Sequence, residues 1–210
     1  LPMELTRRTT LLGSLALIGS SAVHKPALAA AASYFSGTAV DNGVTYKATN
    51  FANIDRKWHR QVVKYFSSEP IGTVVVDTRH HFLYLIMENK TAIRYGVGVG
   101  RDGFKWYGRA TIDQKALWPK WTPPPEMIKR QPEAAKYARG MPGGLDNPLG
   151  ARTLHLYQNG RYTLYTIYAS LDEESIGSGI TSGCVGLLTQ DMIDLYDQTP
   201  VKTKVVVLPA

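Results

Sequence analysis

The only cysteine of the 210-residue chain is Cys184, set in Thr181-Ser182-Gly183-Cys184-Val185-Gly186. An ionised thiol is a strong nucleophile, and small residues ahead of it let backbone N–H groups approach a bound carbonyl. A short helix is expected from Thr189 to Tyr196, with Thr189 as its N-cap, and its N-terminal partial charge would favour thiolate over thiol. This arrangement suits acyl transfer. An ordinary thiol, with a pKa near ~8.5, is only slightly ionised at neutral pH, so a neighbouring base is expected to complete the site. A single cysteine excludes an intrachain disulfide framework and a cysteine-based zinc cluster. His80 and His81 are adjacent and would point to opposite faces of any strand, so they form no chelating pair, and no metal or cofactor is expected.

The elements that must carry this thiol are strands. Hydrophobic residues make up 44% of the chain and charged residues 20%, enough apolar surface to fold and to exclude wholesale disorder. Nineteen Gly, twelve Pro and twelve Tyr against five Phe favour turns and strands over a helical bundle. Thr73–Asp77, Phe82–Met87 and Thr91–Tyr95 read as an antiparallel meander, and Gly150–Tyr157 and Tyr162–Tyr168 as strands joined by an Asn159-Gly160 hairpin turn. Lys204–Leu208 is a closing strand. Seven prolines between Trp118 and Pro148 exclude a central strand there and leave a long packed loop that could cover a site. Gly98-Val99-Gly100-Arg101-Asp102-Gly103 has the glycine spacing of a dinucleotide loop. Strand-like residues follow it where a helix would be needed, so these glycines are read as bends and turns.

The chain divides into an export signal (1–29), a polar linker or N-terminal extension (30–70) and a catalytic body (71–210). Arg7 and Arg8 precede an apolar run from Leu11 to Val23, and Ala27-Leu28-Ala29 offers a cleavage site; the paired arginines resemble a twin-arginine signal. The run is too short for a comfortable membrane span, so no stable span is expected after cleavage. In the extension, an amphipathic run from Asp55 to Phe66 is expected to pack as a short helix. The formal charge of +7 falls to +5 once residues 1–29, with three basic and one acidic side chain, are removed. A basic exported protein is drawn to polyanions such as acidic wall polymers. No basic run interleaved with aromatics is present, so nucleic acid is not expected as a partner. Oligomeric state is not readable from the sequence.

Several segments together resemble the L,D-transpeptidase (YkuD-type) family. They are Val74-Val75-Val76-Asp77, Phe82-Leu83-Tyr84-Leu85, Arg94–Gly100, Trp118–Pro124, Met141-Pro142-Gly143-Gly144, Asn147–Arg152, Ser182-Gly183-Cys184-Val185 and Asp191–Tyr196. The resemblance runs from about Gly72 to Leu208. It implies a mainly β catalytic domain, a YkuD-like sandwich or barrel of mixed strands with a few short helices. It further implies that Cys184 attacks the diaminopimelate carbonyl of a peptidoglycan stem peptide, releasing D-alanine, and that the thioester passes to an amine of a second stem as a 3-3 cross-link. Backbone N–H groups near Gly183 and Cys184 would hold the oxyanion, and Ser182, Arg152, Ser170 and Trp121 are the expected substrate contacts. A periplasmic or wall-associated location follows.

Two positions depart from the family pattern. The usual general-base histidine, sixteen residues before the cysteine, is replaced by Tyr168, and the usual arginine two residues after it by Gly186. A tyrosine with a pKa near ~10 is too weakly ionised to serve as a base at neutral pH, though it can donate a hydrogen bond to an oxyanion. His155, on the preceding strand, is the candidate substitute base. The alternatives are a hydrolase or a transferase to another acceptor on the same scaffold, or a weakly active or inactive peptidoglycan-binding module.

Overall fold

A computed structural model describes residues 37–100, 106–179 and 184–209, so the export signal, Ser182, Gly183 and part of the glycine-spaced segment lie outside the described residues. The described chain is mainly β. A hairpin of β1 (Gly37–Asp41) and β2 (Val44–Ala48) turns at Asn42-Gly43, where both residues take positive φ (46° and 79°), the geometry that lets a two-residue turn follow strand twist. Nine further strands form one mixed sheet: β3 (Gln61–Lys64), β4 (Val74–Asp77), β5 (Phe82–Ile86), β6 (Thr91–Gly96), β7 (Gly108–Leu117), β8 (Arg152–Gln158), β9 (Arg161–Ala169), β10 (Val185–Leu187) and β11 (Lys204–Val207). Their order is β10-β9-β8-β7-β11-β4-β5-β6-β3, with β10/β9 and β11/β4 parallel and the other pairs antiparallel. Paired backbone hydrogen bonds of 2.9 Å between Gly98, just past β6, and Gly186, in β10, bring distant parts of the sheet together and bend it around the core.

The core lies on one face of the site strands. Ile167 and Ala169 of β9, Leu154 and Leu156 of β8, and Val185 and Leu187 of β10 are all buried in it, with Met192 and Leu195 of helix α2 (Thr189–Gln198) packed among them. Helix α1 is Pro125–Arg130. Period-2 alternation then forces the intervening residues, Thr153, His155, Thr166, Tyr168, Cys184 and Gly186, onto the opposite face. That alternation decides which side chains can meet the thiol.

The N-terminal extension is built into this frame. Asp55–Phe66 forms no helix of the expected kind: a 3₁₀ turn at Arg56–Trp58 leads into β3, which pairs with β6. The β-branched pair Val62-Val63 suits a strand, and β6 supplies an edge for it to join. The proline-rich segment likewise holds more order than a loop. Pro125 opens α1 at its first turn, where the missing N–H costs nothing, and a 3₁₀ helix at Pro132–Tyr137 follows. No helix among the described residues is long and apolar enough to cross a membrane.

Two ion-pair clusters tie the extension to the body. Arg60 bonds Asp194 and lies 3.8 Å from Asp191, both on α2, while the Tyr95 hydroxyl donates to Asp194 at 2.7 Å. Burial pushes the Asp191 carboxyl up to about 7 against the opposing pull of Arg60. At the other end, Asp41 accepts from Nη1 and Nη2 of Arg152 and from the Trp118 indole at 3.0 Å. The two charged side chains are 3% and 12% exposed, so the pair is largely out of water. Removing one partner of such a pair leaves the other charge buried and costs about 3–5 kcal/mol. Asp41→Ala is therefore expected to lower unfolding free energy by that amount in urea denaturation; a loss below about 1 kcal/mol, the range of surface pairs, would contradict a buried clasp.

Candidate active site

Cys184 stands immediately before β10 on the non-core face. In the parallel pairing Val185 lies opposite Ile167, which brings Cys184 alongside Thr166 of β9; Thr166 in turn pairs with His155 of β8, and His155 with Gln114 of β7. The thiol therefore begins a polar row that crosses the sheet. The sulfur is half-buried at the β9 edge, where the Thr166 backbone N–H donates to it and the Leu164 carbonyl lies 4.0 Å away as acceptor for the S–H. Strand β10 follows at once, and α2 begins only at Thr189, with Leu188 in the N-cap position and no side-chain cap. The expected helix N-terminus is not next to the thiol. Desolvation instead pushes the Cys184 thiol above its ordinary pKa, partly offset by the Thr166 N–H.

His155 sits at the centre of a hydroxyl cluster. Its Nε2 is 3.2 Å from Thr153 Oγ1, and its Nδ1 is 3.2 Å from Thr166 Oγ1 and 3.3 Å from Tyr162 Oη. Tyr162 Oη and Thr166 Oγ1 are 2.6 Å apart. Burial lowers the His155 pKa, which keeps the imidazole neutral at neutral pH and able to accept a proton. Burial raises that of Tyr162, and the nearby Cys184 adds to the rise. Neither Tyr162 nor Thr166 is singled out by the sequence, because tyrosines and threonines are ordinary strand residues.

These contacts depend on an irregularity in β9. Between the pairs His155↔Thr166 and Tyr157↔Tyr162 the partner strand β8 advances two residues and β9 four, so β9 bulges. Leu164 is at the apex, with φ of 68°, and its side chain is 77% exposed. The bulge turns its carbonyl toward Cys184.

The other expected residues divide clearly. Tyr168 is buried and pairs with Gly186; a Cβ built on Gly186 would come within 3.3 Å of the Tyr168 Cζ and Oη and 3.1 Å of the Ser170 Cβ. The phenol therefore fills the space beside position 186, which the glycine leaves open. Ser170 is buried, and its hydroxyl bonds Ser175 and the Asp172 backbone, so it pins the turn after β9 in place of contacting substrate. Arg152 also departs from expectation. It shares the core face of β8 with Leu154, stacks over the Tyr196 ring with its guanidinium carbon 5.2 Å from the centroid, and is consumed by Asp41, on the far side of the strand from His155. Trp121 is held within the proline-rich segment by a two-way backbone bridge to Met141 and ring contact with Tyr137.

The family model for the L,D-transpeptidase catalytic domain, YkuD, matches residues 71–207. Curated relatives include a probable L,D-transpeptidase ErfK/SrfK of Escherichia coli, 29% identical over 145 residues, covering 65% of this chain and 44% of that protein. A putative L,D-transpeptidase YqjB of Bacillus subtilis is 29% identical over 136 residues, 64% of this chain and 69% of that protein. The chain thus spans less than half the length of the Escherichia coli relative. A crystal structure described as a probable carnitine operon oxidoreductase caia from Brucella melitensis is 41% identical, covers 76% of this chain and 99% of that one, and superposes with a TM-score of 0.52.

The bulge at Leu164 carries a measurable strain. A left-handed backbone costs a non-glycine residue about 1–2 kcal/mol, and glycine gives back about 0.5–1 kcal/mol of that through added unfolded-state entropy. With so exposed a side chain little packing is lost, so Leu164→Gly is expected to raise stability by about 0.5–1 kcal/mol in urea unfolding. A loss of stability would mean that the leucine backbone is not strained.

Proposed function

The chain belongs to the L,D-transpeptidase catalytic domain family, and on that premise we propose that it is an exported cysteine acyltransferase acting on peptidoglycan stem peptides. The observation that carries this reading is the row Cys184–Thr166–His155, which puts a thiol and a neutral imidazole on one sheet face with hydroxyls between them.

In the first step the Cys184 sulfur attacks the diaminopimelate carbonyl. The S–C bond forms, the thiol proton passes to His155, and the carbonyl oxygen becomes an oxyanion held by the Cys184 backbone N–H, the neighbouring Gly183 N–H and the Tyr168 hydroxyl. Collapse breaks the C–N bond, and D-alanine leaves as the amine after receiving the proton from His155. In the second step the amine of another stem attacks the thioester, His155 takes its proton, and the sulfur is released and reprotonated. The product is a 3-3 cross-link.

The replacement of the usual base by Tyr168 does not remove base catalysis in this scheme, because His155 reaches the same sheet face from the adjacent strand. The chemistry needs no cofactor in this scheme, and the basic body suits an anionic wall polymer in the periplasm or cell wall. Arg152 and Ser170, committed to Asp41 and to the turn after β9, are not assigned to substrate; Ser182 and Trp121 keep that role.

Incubation with purified tetrapeptide muropeptides is expected to release D-alanine and yield cross-linked dimers. Cys184→Ala should abolish both, and His155→Ala should slow acylation by about 10²–10⁴-fold. Release of D-alanine with tripeptide as the sole product would assign water as the acceptor. Full turnover by Cys184→Ala would remove the thiol from the reaction.

A further inference from the structure

The acyl-transfer reading leaves a gap in space. Adjacent strands lie about 4.8 Å apart, so Cys184 and His155, two strands from one another, have backbones separated by roughly 10 Å. A cysteine side chain is too short to close that distance; Thr166 lies on the strand between, and the Tyr162 phenol is 2.6 Å from its hydroxyl and 3.3 Å from His155 Nδ1. Resting on that reading, we propose that Tyr162 is the proton carrier between Cys184 and His155, delivered to the thiol by the β9 bulge and held there by Thr166.

The bulge is the first observation. Tyr162 and Thr166 are four residues apart on the same strand, which in regular extended chain separates them by about 13 Å. Here their oxygens are 2.6 Å apart, because β9 takes four residues where β8 takes two and the strained Leu164 turns the chain back. The same apex presents its carbonyl to the Cys184 sulfur, so one irregularity positions both the thiol and the phenol.

The hydrogen-bond chemistry is the second. In the tautomer that carries its proton on Nε2, facing the Thr153 hydroxyl, His155 keeps a lone pair on Nδ1, the nitrogen that faces both Tyr162 and Thr166. A phenol is both donor and acceptor, so Tyr162 can take the thiol proton at Oη while giving its own to Nδ1. Tyr162 Oη is 2.6 Å from the hydroxyl of Thr166, the residue whose backbone N–H donates to the Cys184 sulfur, and Cys184 adds to the rise in the Tyr162 pKa. As the S–C bond forms, the S–H proton moves to Tyr162 Oη and the Oη–H proton to His155. As the C–N bond breaks, Tyr162 gives a proton to the leaving amine and regains one from the imidazolium, so no proton is gained or lost. Tyr162 is 40% exposed, which leaves room for substrate to reach it.

The test is the rate of Cys184 acylation by a carbapenem, followed by intact mass across a pH range from neutral to above the cysteine pKa. Tyr162→Phe keeps the ring that packs 5.4 Å from both His155 and Tyr157 and removes only the hydroxyl. It is expected to acylate about 10–100-fold more slowly at neutral pH and to converge on the unmodified protein at high pH, where the sulfur has no proton to lose. Thr166→Val should give the same pH signature more weakly, and Tyr162→Phe combined with His155→Ala should be no slower than His155→Ala alone. A neutral-pH rate unchanged by Tyr162→Phe, a deficit that persists undiminished at high pH, or losses that multiply in the double variant would each overturn the proton-carrier role while leaving the acyl-transfer reading intact. Failure of the unmodified protein to form an adduct at any pH would overturn both.

Discussion

The whole site turns on one sulfur atom seated against the open side of a β-strand. Cys184 is not offered to solvent on a helix tip. Its sulfur occupies the β9 edge between the Thr166 N–H and the Leu164 carbonyl, where a backbone partner would otherwise sit. Such a seat fixes the thiol in position and withdraws it from water, and both consequences matter. Fixation lets a carbonyl be met in one geometry, while desolvation favours the uncharged thiol. The partner imidazole is also held neutral by burial. Both shifts favour a neutral pair over a thiolate–imidazolium pair at rest, and in the proposed acyl transfer the proton then moves as the new bond forms.

The rest of the molecule serves that seat. Buried aliphatic side chains on the core face of β8, β9 and β10 lock the register of those strands, since a slip of one residue would turn Cys184, Thr166 and His155 into the core. The N-terminal extension holds the opposite side, with Asp41 neutralising Arg152 and Arg60 bridging to α2. The Tyr168–Gly186 pair is a packing solution of the same kind. The phenol of Tyr168 fills the volume above a residue that has no side chain.

Much of this frame was legible from residue types and spacing. The Asn159-Gly160 turn, the alternating strands on either side of it, the valine-rich β4 and the segment around Cys184 carry local signals, and the family resemblance ordered them. What was not legible is of two kinds. The Arg152–Asp41 pair joins residues 111 apart, and nothing local in Arg152 tells a substrate contact from a buried clasp. The β9 bulge has no sequence signature, because its apex is a leucine, a residue that ordinarily avoids positive φ. Without the bulge Tyr162 reads as a hairpin residue far from the chemistry. The Asp55–Phe66 segment shows the usual ambiguity of a short amphipathic run, settled here by the edge that β6 offers.

The most direct measurement of this picture is the ultraviolet thiolate absorbance of the unmodified protein as a function of pH, with Cys184→Ser subtracted. A neutral, edge-seated thiol predicts no thiolate band at neutral pH and a single rise with its midpoint above the ordinary cysteine value of about 8.5. A band already present at neutral pH, with a midpoint well below that value, would mean a pre-formed ion pair and would contradict it.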